Sequence, residues 1–84
     1  MQKKYNLAKK MYEQVIEKYP DELRADNSIF ELAELYENAF GDVNSAKTLY
    51  EKLFLNYDSS TLAVEARKKY RENEADLFQR GLLN

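Results

Sequence analysis

The residues of this chain that could do chemistry are acids and cations, and they do not complete a catalytic or metal site. Glu31 and Glu34 are three residues apart, which resembles half of the carboxylate arrangement that binds iron in helical bundles. The other half needs histidine, and the sequence has no histidine and no cysteine. Hydrolysis by paired acids needs opposed carboxylates across a cleft. We therefore predict no enzyme, no cofactor and no metal.

A basic cluster is the second chemically distinctive group, and it comprises Arg67, Lys68, Lys69 and Arg71. As a binding site, it would suit an acidic partner or anionic lipid. The favoured interpretation is a solvated helix face. There the cations form i,i+4 pairs, each worth about 0.3–0.5 kcal/mol. The acids available for these pairs are Glu65, Glu72 and Glu74.

The composition favours one small helical domain. The chain has 84 residues, of which 44% are hydrophobic and 33% charged, with only two glycines and one proline. So few turn residues predict a few long helices. A domain of this size buries only about 60% of its unfolded surface, so the core must be thin.

The charge distribution argues against a nucleic-acid partner, and the short apolar runs argue against membrane insertion. Seven acids and Arg24 alone lie in residues 20–45, whereas nucleic acid requires a basic footprint. The apolar runs are only a few residues long, far short of the roughly 20 needed to span a bilayer. The first residues lead into an amphipathic segment, which is not typical of a signal peptide.

Four apolar sets at helical spacing predict four amphipathic helices. They are Ala8, Tyr12, Val15, Ile16 and Tyr19; Ala25, Ile29, Leu32, Ala33 and Tyr36; Val43, Ala46, Leu49, Tyr50, Leu53, Phe54 and Tyr57; and Leu62, Ala63, Ala66, Tyr70 and Leu77. Six of the seven tyrosines belong to these sets, so we interpret them as core residues. Pro20 should end the first helix, after which Asp21 or Glu22 begins the second. Gly41 should close the second helix and Asp42 cap the third.

The chain also repeats with an offset of thirty-eight residues. The segment 8–13 aligns with 46–51, and Lys18-Tyr19-Pro20-Asp21 aligns with Asn56-Tyr57-Asp58-Ser59. A period of this size is typical of stacked supersecondary units that cannot bury their apolar faces alone. Short links between the helices imply antiparallel neighbours. The predicted fold is all-α, an antiparallel helix-turn-helix array of about four helices.

The middle unit resembles the tetratricopeptide repeat. Its residues Ile29, Leu32, Ala33 and Tyr36, followed by Ala46 and Tyr50, match that family's order of large residue, Leu, small residue and Tyr, then Ala and an aromatic residue. The resemblance implies a fragment of an α-solenoid within one domain over residues 1–84. Residues 2–19 would form a half repeat, 22–57 a full repeat and 60–78 a capping helix.

The sequence departs from the family pattern in three places. The period exceeds the usual 34 residues, a lengthening similar to that of bacterial envelope-associated repeat proteins. Asp58 stands where a closing proline is usual, and Arg71 stands where a small residue is expected. We therefore expect no further repeat to pack beyond the last helix. About three repeats are normally needed for stability, so we interpret the chain as the C-terminal end of a longer array.

The resemblance further implies a concave face that binds a protein or peptide. Carried onto this sequence, the face-lining positions are Asn27, Phe30, Glu34, Glu37 and Asn38. Phe30 lies off the apolar stripe and would be the main contact, unless it packs against a neighbouring helix. The glutamates would favour basic peptides over acidic ones, unless they are only a solvated face. They disfavour the terminal carboxylates that some members grip with Lys, Arg and Asn.

The predicted function is therefore a non-enzymatic protein-interaction and scaffold module. The alternative is a structural cap of the solenoid, or a segment that self-associates into a homodimer through an exposed end. The partner and pathway stay open. The compartment also stays open between the periplasm or cell envelope and the cytoplasm of a bacterium.

Overall fold

The fold consists of four helices in a computed structural model that describes residues 2–20 and 23–81. Helix α1 spans Gln2–Lys18, α2 spans Leu23–Asn38, α3 spans Val43–Asn56 and α4 spans Leu62–Gln79. No strand occurs in these described ranges. The prediction of an all-α array of four helices is confirmed. The expected role of Asp21 or Glu22 at the start of α2 lies outside the described residues.

The turn between α2 and α3 follows the predicted chemistry. Gly41 has a φ of 65°, a left-handed conformation that glycine adopts without steric cost. Asp42 then caps α3, because its carboxylate accepts from the Ser45 backbone N–H at 3.1 Å and from the Ser45 hydroxyl at 2.7 Å. These two residues reverse the chain within a short link, so α2 and α3 become neighbours.

In the turn before α4, the side chain that accepts a backbone hydrogen bond belongs to Ser60 and not to Thr61, the residue at the N-cap position. Thr61 occupies that position but makes no side-chain capping bond. The Ser60 hydroxyl accepts from the Leu62 N–H at 3.1 Å and also donates to the Asp26 carboxylate. In the same region the Tyr57 hydroxyl donates to the Pro20 carbonyl oxygen. These bonds connect the turn after α3 to α2 and to the turn after α1.

The helices stack in a layered order. Within the described residues, α1 packs on α2, α2 on α3, and α3 on α4, while α2 also touches α4. Helices α1 and α3 do not pack directly on each other. Helix α2 is therefore in contact with all three other helices.

The core lies where α2, α3 and α4 meet. Its fully or almost fully buried members are Ile29, Ala33, Ala46, Tyr50, Leu53, Ala63 and Ala66. The alanines have no side chain beyond Cβ, so the neighbouring backbones approach closely. The half-buried aromatic rings of Tyr36, Phe54 and Tyr70 pack against this cluster.

Four of the six predicted core tyrosines, Tyr36, Tyr50, Tyr57 and Tyr70, belong to the core or pack against it, whereas Tyr12 lines a cleft beside α1. Tyr50 is fully buried, and Tyr12, Tyr36, Tyr57 and Tyr70 are half-buried. Tyr19 is 43% exposed, so its interpretation as a core residue was wrong. The reason is its position one residue past the end of α1, where the helical stripe no longer fixes its direction. No described helix is long and apolar enough to cross a membrane.

Candidate partner-binding surface

The five predicted contact residues lie on α2 but face two different neighbours. Glu34 and Asn38 lie beside α1, whereas Phe30 and Glu37 contact Tyr50 of α3. Asn27 is exposed and lies nearer the start of α2 than the other four residues. The predicted contact residues therefore border α1 on one side of α2 and α3 on the other.

Glu37 belongs to a polar cluster that joins three helices. Its carboxylate accepts from the Tyr50 hydroxyl at 3.2 Å and from the Asn73 side-chain amide at 2.5 Å. The Lys69 ammonium lies 3.8 Å from the same carboxylate. We call Glu37, Tyr50, Lys69 and Asn73 the Glu37 cluster. Because a charged acceptor strengthens hydrogen bonds, this cluster fixes α2 against α3 and α4, and Glu37 is less available to a partner than predicted.

The hydroxyl of Tyr50 is held in its neutral form. Burial raises the pKa of Tyr50 well above its ordinary value, and the nearby charges of Glu37 and Glu34 add to this effect. A phenolate at this position would be desolvated and would face two carboxylates. Tyr50 therefore acts as a hydrogen-bond donor to Glu37.

Phe30 is both a packing residue and part of the surface. Its ring meets that of Tyr50 edge to face, with the centroids 5.5 Å apart, a geometry that aromatic pairs prefer. The side chain is half-buried. The contact with Tyr50 and the packing of Phe30 against the core cluster support the alternative that Phe30 packs against a neighbouring helix.

Clefts lie on both sides of α1. One of about 530 Å³ lies between α1 and α2 and is called here the α1–α2 groove. Its lining residues are Lys4, Tyr5, Ala8, Tyr12, Glu31, Glu34, Leu35, Asn38 and Ala39. A second cleft, of about 640 Å³, separates α1 from α3 on the opposite side. Clefts of this size could hold side chains of a partner.

The basic cluster of α4 does not pair as predicted. Lys69 pairs with Glu37 of α2, and Glu74 pairs with Lys47 of α3 at 3.9 Å. The Arg67 guanidinium lies over the Phe54 ring, 4.8 Å from its centroid. In the described ranges, no ion pair joins one of the predicted cations of α4 to one of the predicted acids of α4. The i,i+4 prediction was wrong because these side chains reach across to the adjacent helices.

Asn73 is the site residue that sequence reasoning missed. It is only 3% exposed, and its Oδ1 has no hydrogen-bond partner. The pattern analysis passed over it because it is polar. Its spacing was a usable signal, since Asn73 falls between Tyr70 and Leu77 at helical steps along the same stripe.

The described residues contain no group of three or more acids that could hold a metal ion. The chemistry that the surface offers is hydrogen bonding, aromatic contact and negative charge.

Comparison with known proteins identifies the family. A sequence model described as Tetratricopeptide repeat matches residues 1–22 and 27–60. No curated protein and no solved structure matches the chain significantly. Repeats of this kind generally mediate contacts between proteins and are typically not enzymes. The matched segments cover more than half of the sequence and include α1, most of α2 and α3, so the chain belongs to the tetratricopeptide repeat family.

Proposed function

We propose that this chain is a non-enzymatic scaffold module that binds a protein or peptide on the exposed face of α2. The observation that carries the proposal is the combination of a half-exposed aromatic ring at Phe30 with acidic groups beside it at Glu31 and Glu34. Aromatic residues are typical binding anchors at protein interfaces. The Glu37 cluster supports the face from below by holding α2 in place.

A preformed face lowers the cost of binding. Three helices fix the position of α2, so little ordering is required when a partner arrives. The acidic border favours a segment with lysine or arginine near an apolar anchor. Asn27 and Asn38 supply exposed amides that can bond a partner backbone.

A peptide-display selection against the full chain tests the proposal. Selected peptides should be enriched in basic residues. Their affinity should fall at least about tenfold for the Phe30→Ala, Glu34→Lys double variant, since interface anchors commonly contribute 1–2 kcal/mol or more. Helicity measured by circular dichroism should stay close to wild type.

The matched control is Val64→Ala. Val64 is 80% exposed and lies on α4, outside the proposed face. This variant should bind the selected peptides like wild type. Equal affinity of the wild type and the double variant for all selected peptides would contradict the proposal.

We also propose that the module forms part of a longer array. Leu7 and Met11 lie four residues apart on α1 and are 62% and 65% exposed, as expected of a surface that another helix covers. Self-association through this apolar surface is the alternative that the same observation supports. Light scattering over a range of concentrations separates the two, because a strict monomer excludes the homodimer.

A further inference from the structure

The cleft of about 640 Å³ between α1 and α3 is called here the α1–α3 cleft. These two helices do not pack on each other, whereas α2 packs on both of them. Leu32 and Tyr36 of α2 line the base of the cleft. Leu32 is buried and Tyr36 is half-buried. The cleft therefore has two helical walls and a base formed by a third helix.

The stacking of repeats does not fill this cleft. Adding thirty-eight to the residue numbers carries α1 onto α3 and α2 onto α4. Because α2 packs on α3 and α4, a helix before α1 in a longer array would pack on α1 and α2, in the α1–α2 groove. A helix after α4 would pack on α4 as α3 packs on α2. Neither helix enters the α1–α3 cleft, because the helix that stacking places between α1 and α3 is α2 itself.

The two walls of the cleft carry charges of opposite sign. Glu13 and Glu17 line the cleft on α1, and Lys52 lines it on α3. All three residues are exposed, and none of them forms an ion pair with another residue of the described ranges. The cleft keeps these charges apart, so a ligand inside it can pair with both walls at once.

Apolar groups lie between the charged ones. Ile16 of α1 and Leu49 of α3 line the cleft together with Leu32, and both are half-buried. Lysine and arginine bury their aliphatic stems on apolar surface while their charged heads stay in water. Basic side chains therefore fit the α1 wall, with their stems on Ile16 and their heads at the two glutamates.

The spacing of the two glutamates favours an extended ligand. Glu13 and Glu17 are four residues apart on α1, which displaces them by about 6 Å along the helix axis. In an extended chain, side chains two residues apart point to the same side and are about 6.4–6.8 Å apart. Two basic residues separated by one residue therefore match the two glutamates.

Lys52 favours an acidic residue beside one of these basic residues. Short links join α2 to α1 and to α3, so both are antiparallel to α2 and run in the same direction. Lys52 and Pro20 are the last lining residues of their two walls, so Lys52 lies towards the Glu17 end. Adjacent side chains of an extended chain point to opposite sides. The residue next to the basic residue at Glu17 therefore faces Lys52.

From these observations we propose that the α1–α3 cleft binds an extended segment of a partner protein with this charge pattern. Two basic residues of the segment, separated by one residue, pair with Glu13 and Glu17. An acidic residue beside the one at Glu17 pairs with Lys52. This surface is separate from the α2 face of the proposed function, because Phe30 and Glu34 do not line it.

The test uses the full chain and fluorescence anisotropy with two labelled peptides, each built in a neutral glycine-serine sequence. The first peptide has two lysines separated by one alanine, with a glutamate on each outer side, so that it fits in either direction. The second has the same composition, but its two lysines are adjacent and its two glutamates are adjacent. The wild type should bind the first peptide about fivefold more tightly, the size expected of exposed ion pairs.

Variants of exposed residues assign this preference to the cleft. The Glu13→Gln, Glu17→Gln variant should lose it. The matched control Glu65→Gln, Glu72→Gln removes the same charge from exposed positions of α4 and should keep it. Lys52→Ala and the replacement of the peptide glutamates by glutamine should each weaken binding about twofold. Both changes together should weaken it no more than either alone, since they remove the same contact.

Three results would overturn the proposal. The first is equal affinity of the wild type for the two peptides. The second is an unchanged preference in the Glu13→Gln, Glu17→Gln variant. The third is displacement of the first peptide by spermidine at the same concentration as by unlabelled peptide, which makes a small polyamine the ligand. The Phe30→Ala, Glu34→Lys variant should keep the preference, so the failure of this inference is distinguishable from the failure of the proposed function.

Discussion

Glu37 is the predicted contact residue whose observed contacts differ most from the prediction. The family resemblance predicts it as a surface contact, because its position on α2 matches one that lines the concave face. The structure places its carboxylate against Tyr50, Lys69 and Asn73. All three lie on other helices, and pattern analysis of α2 alone carries no information about them. The resemblance therefore assigns Glu37 to a face of α2, but its hydrogen-bond partners depend on tertiary contacts.

Removal of the Glu37 carboxylate should destabilise the fold. Glu37→Ala leaves the buried Tyr50 hydroxyl and the Asn73 amide without an acceptor, which costs about 1–3 kcal/mol of unfolding free energy. Urea denaturation measures the change. Glu34→Ala is the matched control, since it removes a half-buried carboxylate of the same helix and should change the value by about 0.5 kcal/mol or less. Equal losses in both variants would show that the cluster has no special role.

Tyr50 should make stability sensitive to alkali. The pKa of Tyr50 is raised in the folded state. Its contribution to the free energy of unfolding is therefore fully present below the pKa of tyrosine in the unfolded chain, near 10. Above that pH only the unfolded chain loses the proton. The free energy of unfolding then falls by up to about 1.4 kcal/mol per pH unit from this group. Urea denaturation from about pH 9 to about pH 11 brackets this transition.

The variant Tyr50→Phe tests whether Tyr50 causes this loss of stability at alkaline pH. It should be less stable at neutral pH by about 1 kcal/mol, because one hydrogen bond is lost, but its stability should fall less steeply above about pH 10. Tyr12→Phe, at the equivalent position of the repeat, leaves Tyr50 in place and should keep the wild-type slope. Identical slopes in all three proteins would contradict the assignment.

At the scale of the elements, turn chemistry was the most predictable feature. Pro20, Gly41 and Asp42 indicated the helix boundaries, because each has a local backbone effect that needs no tertiary context. The turn before α4 was less predictable. Ser60, rather than the N-cap residue Thr61, accepts the backbone bond there, and its second bond to Asp26 comes from a distant part of the chain.

The N-cap residues of α3 and α4, Asp42 and Thr61, should differ in their effect on stability. Asp42→Ala removes the bonds to Ser45 and should cost about 1 kcal/mol of unfolding free energy. Thr61→Ala removes no capping bond and should cost about 0.5 kcal/mol or less. Thermal denaturation followed by circular dichroism measures both. A larger loss for Thr61→Ala than for Asp42→Ala would be inconsistent with the observed caps.

At the scale of the whole molecule, the array is an open stack with unequal repeat units. The fold class was predictable because a period of thirty-eight residues and the small residues at Ala33 and Ala46 required neighbouring helices to nest. What covers each unit was not predictable from the pattern, because Ala8 and Ala46 look alike in sequence. Only the packing order distinguishes them, because Ala46 lies beneath α2 and Ala8 lines the α1–α2 groove.

The most direct test of this arrangement compares a larger side chain at the two equivalent positions. Ala46→Leu must force α2 away and should lower the free energy of unfolding by about 1–3 kcal/mol. The leucine of Ala8→Leu extends into the α1–α2 groove. This variant should change the free energy of unfolding by about 0.5 kcal/mol or less. Urea denaturation of the two variants beside the wild type gives both values. Equal losses at Ala8 and Ala46 would contradict the account, because they would mean that the first unit is covered as fully as the second.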